Sequence, residues 1–565
     1  MNSTWKTTFK LGLLTGAIVV YVALTGMVLS LSQRPVIDKL SLGHVVYMLV
    51  FVGMGYITAS RSPWRQTRPA LVPVQGAVVG AVGAAVLGLL PLIGRKVDLA
   101  WMFVTAKPNL YKFLLFNQES TAVGLLYLIL TGAALGGAAA VLPILPEVLH
   151  KALLGGASTT LLMGVLAELV QRTVLKKVLG PLFAYKGLKP HGAAILFVAL
   201  TVLWGLYAWW RQRHPKQTQT VAEMETTVPA SVRTTAQMAG ILLFLLILPI
   251  WILNKDTYLN SVLNLVGLYI IMGLGLNIVV GFAGLLDLGY VAFFAIGAYT
   301  VALMTSLGDL GHGYTFWQAL PIAVGFALIA GVVLGIPVLR MRGDYLAIVT
   351  LGFGEIIRIL ANSDWLKPFM GGALGVLDIP KPQIGDWVLK EEYQLYYLIL
   401  AGILLTWFIA SRLYHSRVGR AWQALREDED VAEAMGIHLV TTKLLAFGFG
   451  AAFSGLSGAI FAAKVGSVYP HTFNLIISIN VLSLIIVGGI GSLPGVVVGA
   501  LALVGLPELL REFSEYRMLF YGIALIAMML VKPEGFWPKR LNVYRRPEGA
   551  ETPALSGDSR QALPQ

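Results

Sequence analysis

Two polar residues interrupt an apolar part of the sequence, where they could line or gate a polar path through a membrane. Asn277 carries an amide and Asp287 a carboxylate. They are accompanied by Gly281, Gly284 and Gly289. Glycine weakens a helix, and a broken helix exposes backbone groups that only protein or a wet cavity can satisfy at membrane depth. All five residues are therefore candidates for a translocation path or gate, and an ordinary cytoplasmic turn is the alternative.

Glu355 and Arg358 form a second candidate for such a path or gate. They are three residues apart, so in a helix they share one face and can pair. A charge at the centre of a membrane helix costs about 2.5 to 3.5 kcal/mol on insertion scales, so such residues mostly face protein or water. A structural ion pair near a helix end is the alternative.

The stretch from Arg412 to Lys443 is the most informative polar part of the chain. Small and apolar residues recur in it every three or four positions, which predicts short amphipathic helices. Its charges could form a solvated face or accompany a stripe that docks into the groove of a partner. The candidate docking residues are Arg426, Glu427, Asp428, Glu429, Asp430, Ala432 and Gly436.

The elements that hold these residues must be membrane helices. Of the 565 residues, 57% are hydrophobic and only 13% are charged, and the mean hydropathy is +0.75. Soluble globular domains carry about 25% charged residues, so a soluble protein is excluded. The predicted fold class is all-α, a polytopic transmembrane helical bundle in the lipid bilayer. The net charge of +13 then reflects basic cytoplasmic loops, and we expect no nucleic-acid partner.

The sequence contains no motif of a known catalytic or cofactor site. It has no cysteine, and its eight histidines lack the spacing of metal ligands. A phosphate-binding loop, a dinucleotide-binding turn, a serine-hydrolase elbow and a zinc-protease pair are all absent from the sequence. We therefore expect a protein that is not an enzyme and binds neither a cofactor nor a metal.

Apolar runs of about 20 residues, the length that crosses a bilayer, divide the chain into four parts. Residues 1–210 are predicted to form an N-terminal transmembrane extension of about six helices, and residues 211–237 a cytoplasmic linker. Residues 238–538 form a core of eight to ten membrane segments, followed by a cytoplasmic tail at 539–565. The distribution of Lys and Arg places the linker, the stretch 412–443 and the tail inside, and residues 362–392 outside.

The two short apolar segments that flank Gly489 to Leu493 could both span the membrane or form a re-entrant pair. From this connection into the second segment, glycine recurs at every fourth residue, at Gly491, Gly495 and Gly499. This spacing predicts a face of small residues on which a neighbouring backbone approaches closely.

Several blocks of the core, taken in order, resemble the LivM family of permease subunits from branched-chain amino acid ABC importers. The resemblance covers residues 238–538, slightly over half of the chain. The blocks are Gly275 to Asn277, Gly281 to Tyr299, Arg340 to Arg358, Gly371 to Gly372, Ala424 to Glu429, Ala434 to Gly436 and Gly488 to Gly495.

The resemblance implies one helical half of a pore in the cell membrane of a prokaryote. The implied partners are a second, LivH-like permease subunit, two cytoplasmic ATP-binding subunits and an external or periplasmic substrate-binding protein. ABC importers of several kinds seat a cytoplasmic E-A-A-x-x-x-G loop in the ATPase, and Asp430, Val431, Ala432 and Gly436 keep its spacing with two substitutions. The docking residues named above are therefore assigned to ATPase coupling, and ATP hydrolysis to the partner subunits.

Two other functions remain open at this point. A urea or amide permease of the same superfamily would have a similar core. A stand-alone secondary transporter would need no ATPase and would show paired inverted repeats.

Overall fold

A computed structural model describes residues 2–38, 40–118, 120–172, 179–184, 187–213, 243–252, 256–338, 341, 344–509, 522, 526, 530 and 535–537. The predicted tail at 539–565 lies outside these residues, and so does the predicted linker except for 211–213. Arg340, which begins one of the blocks quoted above, lies outside them as well.

Helices dominate the described part of the chain. In the first part they are α1 (Asn2–Leu24), α2 (Met27–Ser30), α3 (Leu42–Arg61), α4 (Trp64–Thr67), α5 (Val72–Gly94), α6 (Pro108–Leu114), α7 (Thr121–Val141), α8 (Glu147–Val165), α9 (Ala167–Arg172) and α10 (Pro190–Arg213). After the linker they are α11 (Thr257–Leu276), α12 (Val291–Thr305), α13 (Phe316–Val338), α14 (Asp344–Asn362), α15 (Lys367–Met370), α16 (Glu392–Tyr414), α17 (Arg417–Glu427), α18 (Glu429–Ala434), α19 (Leu439–Val465), α20 (Leu475–Gly488), α21 (Leu493–Ala500) and α22 (Leu506–Leu509).

The remaining regular elements are short. Single turns of 3₁₀-helix occur at Leu31–Gln33, Pro69–Leu71, Leu142–Ile144, Gly180–Leu182, Gly372–Leu374 and Pro470–Thr472. Three π-helical segments occur at Leu248–Ile252, Asn277–Phe282 and Leu501–Gly505. Strands β1 (Pro35–Ile37) and β2 (Leu40–Ser41) pair antiparallel, as do β3 (Gln383–Ile384) and β4 (Trp387–Val388).

Twelve helical segments of the described chain are long and apolar enough to cross a membrane. This finding confirms the prediction of an all-α polytopic membrane protein. Six of these segments precede residue 211. Of the two short segments around residue 490, the first belongs to a 19-residue span, Pro470–Gly488, and the second to a shorter apolar helix, Leu493–Glu508.

The chain divides into two compact units. The first comprises Met1–Leu268, Gln383–Ala401 and Val504–Gly522, and the second comprises Tyr269–Pro382, Gly402–Leu503 and Ile523–Gln565.

Close helix contacts in the first unit depend on glycine. A Cβ atom on Gly80 of α5 would overlap the carbonyl oxygen of Gly132 on α7. One turn away, a Cβ on Gly76 would overlap the carbonyl oxygen of Gly136. Direct backbone contact of this kind stabilises helix pairs in lipid, where no hydrophobic drive holds helices together.

The second unit is built around the buried helix α19. A Cβ on Gly297 of α12 would overlap the carbonyl oxygen of Gly455 in α19, so these two backbones also touch. Helices α20 and α21 pack in the same way, because a Cβ on Gly495 would lie 2.6 Å from the carbonyl oxygen of Gly488. One turn further along α21, a Cβ on Gly499 would overlap the carbonyl oxygen of Leu484.

Gly491 differs from the expectation that it shares this packing face. It precedes α21 and has a φ of 82°. Glycine adopts such left-handed backbone conformations at little cost, which suits the tight turn between α20 and α21. Its role is therefore to reverse the chain.

The interruption of the helix that the glycines predict around Gly281 is shorter in the structure than expected. Helix α11 continues through Gly275 into the π-helical segment and ends only at Phe282, so the irregular part is residues 283–290. A Cβ on Gly275 would overlap the hydroxyl of Tyr290. Glycine in this helix thus serves close packing and does not interrupt the helix.

Candidate translocation face and coupling segment

The π-helical segment is fixed to the turn between α20 and α21. Asn277 is fully buried, and its Oδ1 accepts a hydrogen bond from the N–H of Gly491 at 2.9 Å. A Cβ on Gly281 would lie 2.8 Å from that same nitrogen, so glycine is needed at this contact. Single turns of π-helix within α-helices are frequent at functional sites.

Asp287 is fully buried in the irregular loop, outside the candidate membrane spans. Its Oδ1 accepts a hydrogen bond from the N–H of Gly289 at 2.9 Å, whereas its Oδ2 has no partner among the described residues. Burial raises the pKa of the Asp287 carboxyl to about 7, against the lowering effect of the Gly289 hydrogen bond. The carboxyl therefore changes its charge near neutral pH.

The loop packs against helix α14 through main-chain atoms. The N–H of Leu288 donates a hydrogen bond to the Thr350 hydroxyl oxygen at 3.0 Å. A Cβ on Gly289 would overlap the carbonyl oxygen of Thr350. The backbones of the loop and of α14 are therefore in direct contact at Thr350.

Helix α17 contacts the π-helical segment from another side. Its N-terminus is capped by Ser416, whose hydroxyl accepts a hydrogen bond from the N–H of Gly419 at 3.2 Å. The buried Trp422 anchors the helix by donating from Nε1 to the carbonyl oxygen of Thr442 at 2.8 Å. From its last turn, Arg426 donates from Nη1 to the carbonyl oxygen of Gly281 at 2.5 Å.

Gly284 lies against the same arginine side chain, Arg426. Its φ is 74°, and a Cβ there would lie 2.9 Å from the Cγ of Arg426. Both the backbone conformation and the space favour glycine at this position.

Helix α14 presents two different faces. Leu346, Thr350 and Gly354 lie on its buried side. Glu355 and Arg358 form an ion pair with 2.7 Å between Oε2 and Nη2, and about a third of each side chain is exposed, 34% and 36% respectively. The pair therefore lies on the part of α14 that the rest of the chain leaves open.

Comparison with known proteins identifies the family. The family model described as branched-chain amino acid transport system / permease component matches residues 258–529. The high-affinity branched-chain amino acid transport system permease protein LivM of Escherichia coli K12 is 40% identical over 352 residues, which cover 58% of this chain and 81% of that protein. The chain belongs to this permease family. The comparison confirms the resemblance found in the sequence blocks.

More distant relatives include both kinds of permease subunit. The probable branched-chain amino acid transport permease protein LivM of Methanocaldococcus jannaschii is 23% identical over 330 residues, or 50% of this chain and 94% of that protein. The LivH permease protein of Escherichia coli K12 is 26% identical over 292 residues, or 47% of this chain and 90% of that protein. No solved structure matches the chain.

The coupling candidates of this permease lie in and around the short helix α18. Asp428 caps it by accepting a hydrogen bond from the N–H of Val431 at 3.0 Å. Glu429 forms an ion pair with Lys443 of α19, and Gly436 follows the helix with a φ of 85°. Glu427 and Asp430 have exposed side chains.

Ala432 differs from the other coupling candidates. Its side chain is 2% exposed and is covered by the chain itself, so it is not available to a partner. Val431 and Met435, one turn apart on the other side of α18, are 59% and 78% exposed. The surface that a partner could contact is therefore carried by Val431 and Met435.

The structure separates the predicted gate residues into two groups. Asn277 and Asp287 are fully buried and serve the contacts around the π-helical segment. Glu355 and Arg358 alone among these candidates combine charge with exposure on a spanning helix. Thr350, which links the groups, carried no signal in the sequence because an isolated threonine in an apolar helix is common.

Proposed function

We propose that this chain is one of two membrane subunits of an ATP-driven importer of branched-chain amino acids in the cell membrane of a prokaryote. Family membership supports the transport role. Similarity to both LivM and LivH supports pairing with a second, homologous permease subunit. The chain itself is not an enzyme, because its sequence has no phosphate-binding loop for ATP.

The hydrogen bond from Arg426 to Gly281 is the observation on which the proposal depends most. It joins a polar, amphipathic segment to the end of a membrane helix, and that end packs against α14 through Thr350. A motion imposed on α17 and α18 by an ATP-binding subunit would thus reach a spanning helix.

Two ATP-binding subunits provide this motion, one for each permease subunit. The exposed apolar side chains of Val431 and Met435 lie beside the acidic residues Asp430 and Glu433. An apolar patch with a charged rim is typical of a docking surface. We assign this patch of α18 to the ATP-binding subunit.

A substrate-binding protein delivers the amino acid from outside. The segment that follows α14 has three large exposed side chains, Trp365, Phe369 and Leu374, which are 78%, 70% and 71% exposed. Exposed apolar groups of this size often mark contacts with other proteins. The charge pattern of the loops places this segment outside.

The amino acid crosses along the open face of α14. An ion pair that is about one-third exposed within a membrane span is poorly compatible with lipid, so this face requires a polar neighbour. We propose that this polar neighbour is the translocation path. The second permease subunit would line the opposite side of the path.

An uptake assay in cells tests this function. Cells without their own high-affinity branched-chain uptake receive this chain, its second permease subunit, the ATP-binding subunits and the binding protein. We expect accumulation of labelled leucine, and no accumulation when the ATP-binding subunits are omitted. Leucine uptake by this chain alone would favour a secondary transporter, and uptake of urea without leucine would favour an amide permease.

A further inference from the structure

Glu355 lies near the middle of its candidate membrane span, and Arg358 lies nearer to the end of that span. The span that contains it begins at Tyr345 and ends at Asn362. Glu355 is ten residues from its start, about 15 Å at 1.5 Å per residue, which is half of a hydrocarbon core of about 30 Å. The pair therefore occupies the second half of the span, with Arg358 four residues before its end at Asn362.

The remainder of the same face is apolar and contains a gap. Ile348 and Ile359 are 65% and 57% exposed and lie one or two turns from Glu355 on the helix surface. Between them is Gly352, where an added Cβ would meet no atom within 4 Å. Two opposite charges thus adjoin an open apolar surface.

We propose that this face is a weak, transient binding site for a zwitterionic α-amino acid with an aliphatic side chain. The inference builds on the proposed function, in which α14 lines the path. The guanidinium of Arg358 binds the α-carboxylate and the carboxylate of Glu355 binds the α-ammonium, while the side chain lies on Ile348, Gly352 and Ile359.

Replacement of the internal ion pair by contacts with the amino acid explains why the site has two charges. In the empty state the two side chains neutralise each other over 2.7 Å. When the amino acid arrives, one ion pair is replaced by two, and no charge is left alone at membrane depth. Since the empty pair is itself satisfied, binding is weak enough for release, as conduction through a membrane requires.

A matched pair of double variants tests the site. Glu355→Gln combined with Arg358→Gln removes both charges, keeps the size of the side chain at 355 and leaves a shorter polar side chain at 358. Glu147→Gln combined with Lys151→Gln is the control, because it removes an exposed ion pair of similar spacing on α8 of the extension. Each complete importer complex is placed in proteoliposomes, and leucine import and ATP hydrolysis are measured together with the amount of complex.

We expect the Glu355 and Arg358 variant to import leucine at least tenfold more slowly than the wild type, with a normal amount of complex and normal ATP hydrolysis. The control should match the wild type. Normal import by the Glu355 and Arg358 variant would overturn the proposed binding site. Loss of the complex would also overturn it, because that result would assign the ion pair to folding.

A charge exchange provides a second measurement. Glu355→Arg combined with Arg358→Glu keeps both charges, so we expect it to import leucine within about threefold of the wild type. Import as low as in the neutral variant would overturn the site. If the wild-type complex itself imports no leucine, the proposed function fails, and that outcome is distinct from a failure of the site.

Discussion

Arg426 donates a hydrogen bond from its guanidinium to the carbonyl oxygen of Gly281 over 2.5 Å. The donor is on the last turn of α17, and the acceptor is in the π-helical end of a membrane helix. A charged donor makes this bond stronger than a neutral one. Together with the contact between Leu288 and Thr350, it forms a continuous connection from a docking segment to the buried side of α14, the helix whose open face we assign to the path.

Loss of this bond should separate ATP hydrolysis from transport. A hydrogen bond to a charged group contributes about 1.5 to 3 kcal/mol, so we expect Arg426→Gln to lower leucine import about tenfold or more. The ATP-binding subunits should remain bound, and ATP hydrolysis should continue. Arg420→Gln is the control, because Arg420 bonds within its own segment, to the carbonyl oxygen of His415. Equal import by both variants would contradict a coupling role for Arg426.

The contact between the loop and α14 can be tested with two glycine variants. We expect Gly289→Ala to reduce the amount of folded protein strongly, because the added Cβ would overlap the carbonyl oxygen of Thr350 and neither backbone can yield cheaply. Gly352→Ala, on the open face of α14, should leave the amount unchanged. The measurement is the yield of monodisperse protein after detergent extraction. Similar yields would show that the loop and α14 are not in contact.

Docking of the ATP-binding subunit should depend on the exposed side of α18. We expect Val431→Glu combined with Met435→Glu to abolish co-purification of the ATP-binding subunit, since two charges would replace the apolar patch. Both side chains are exposed, so the fold should tolerate the change. Ile384→Glu combined with Trp387→Glu is the control, because it places two charges on exposed apolar positions of the hairpin formed by β3 and β4. Retention of the subunit by the double variant would place the docking surface elsewhere.

Asp287 should make the stability of the protein dependent on pH. Burial raises its pKa from 3.8 to about 7, so between these values the folded protein holds a proton that the unfolded chain has lost. Stability must then fall as pH rises through this range and level off above it. We expect Asp287→Asn to melt at a higher temperature than the wild type, and the difference should be larger at pH 8 than at pH 5.

The control for this comparison is Asp430→Asn, which changes an exposed carboxylate. Its melting temperature, recorded in detergent, should match that of the wild type at both pH values. If the melting temperatures of Asp287→Asn and the wild type depended identically on pH, Asp287 would not contribute to the pH dependence of stability.

Sequence patterns predicted the helical fold because a membrane helix leaves a long apolar run that no other element produces. They also placed Glu355 and Arg358 on one helical face, since that follows from spacing alone. They did not show that Ala432 is covered while Met435 is exposed, because both belong to the same stripe of small and apolar residues. Which side of a short helix faces its own protein depends on tertiary packing.

The roles of the individual glycines could not be predicted from the sequence either. A glycine that packs, such as Gly495, cannot be told in the sequence from one that turns, such as Gly491, because both stand in the same four-residue spacing. Likewise, the buried contact between Asn277 and Gly491 joins positions that are 214 residues apart. Pairs at that separation leave no trace in a single sequence.

Leucine import by the purified complex shows whether this chain is part of an ATP-driven importer. Proteoliposomes contain this chain, its second permease subunit and the ATP-binding subunits, with the binding protein outside and ATP or ADP inside. We expect leucine accumulation with ATP, none with ADP, and none when this chain is omitted. Equal accumulation with ATP and ADP, or accumulation without this chain, would contradict its role as a subunit of an ATP-driven importer.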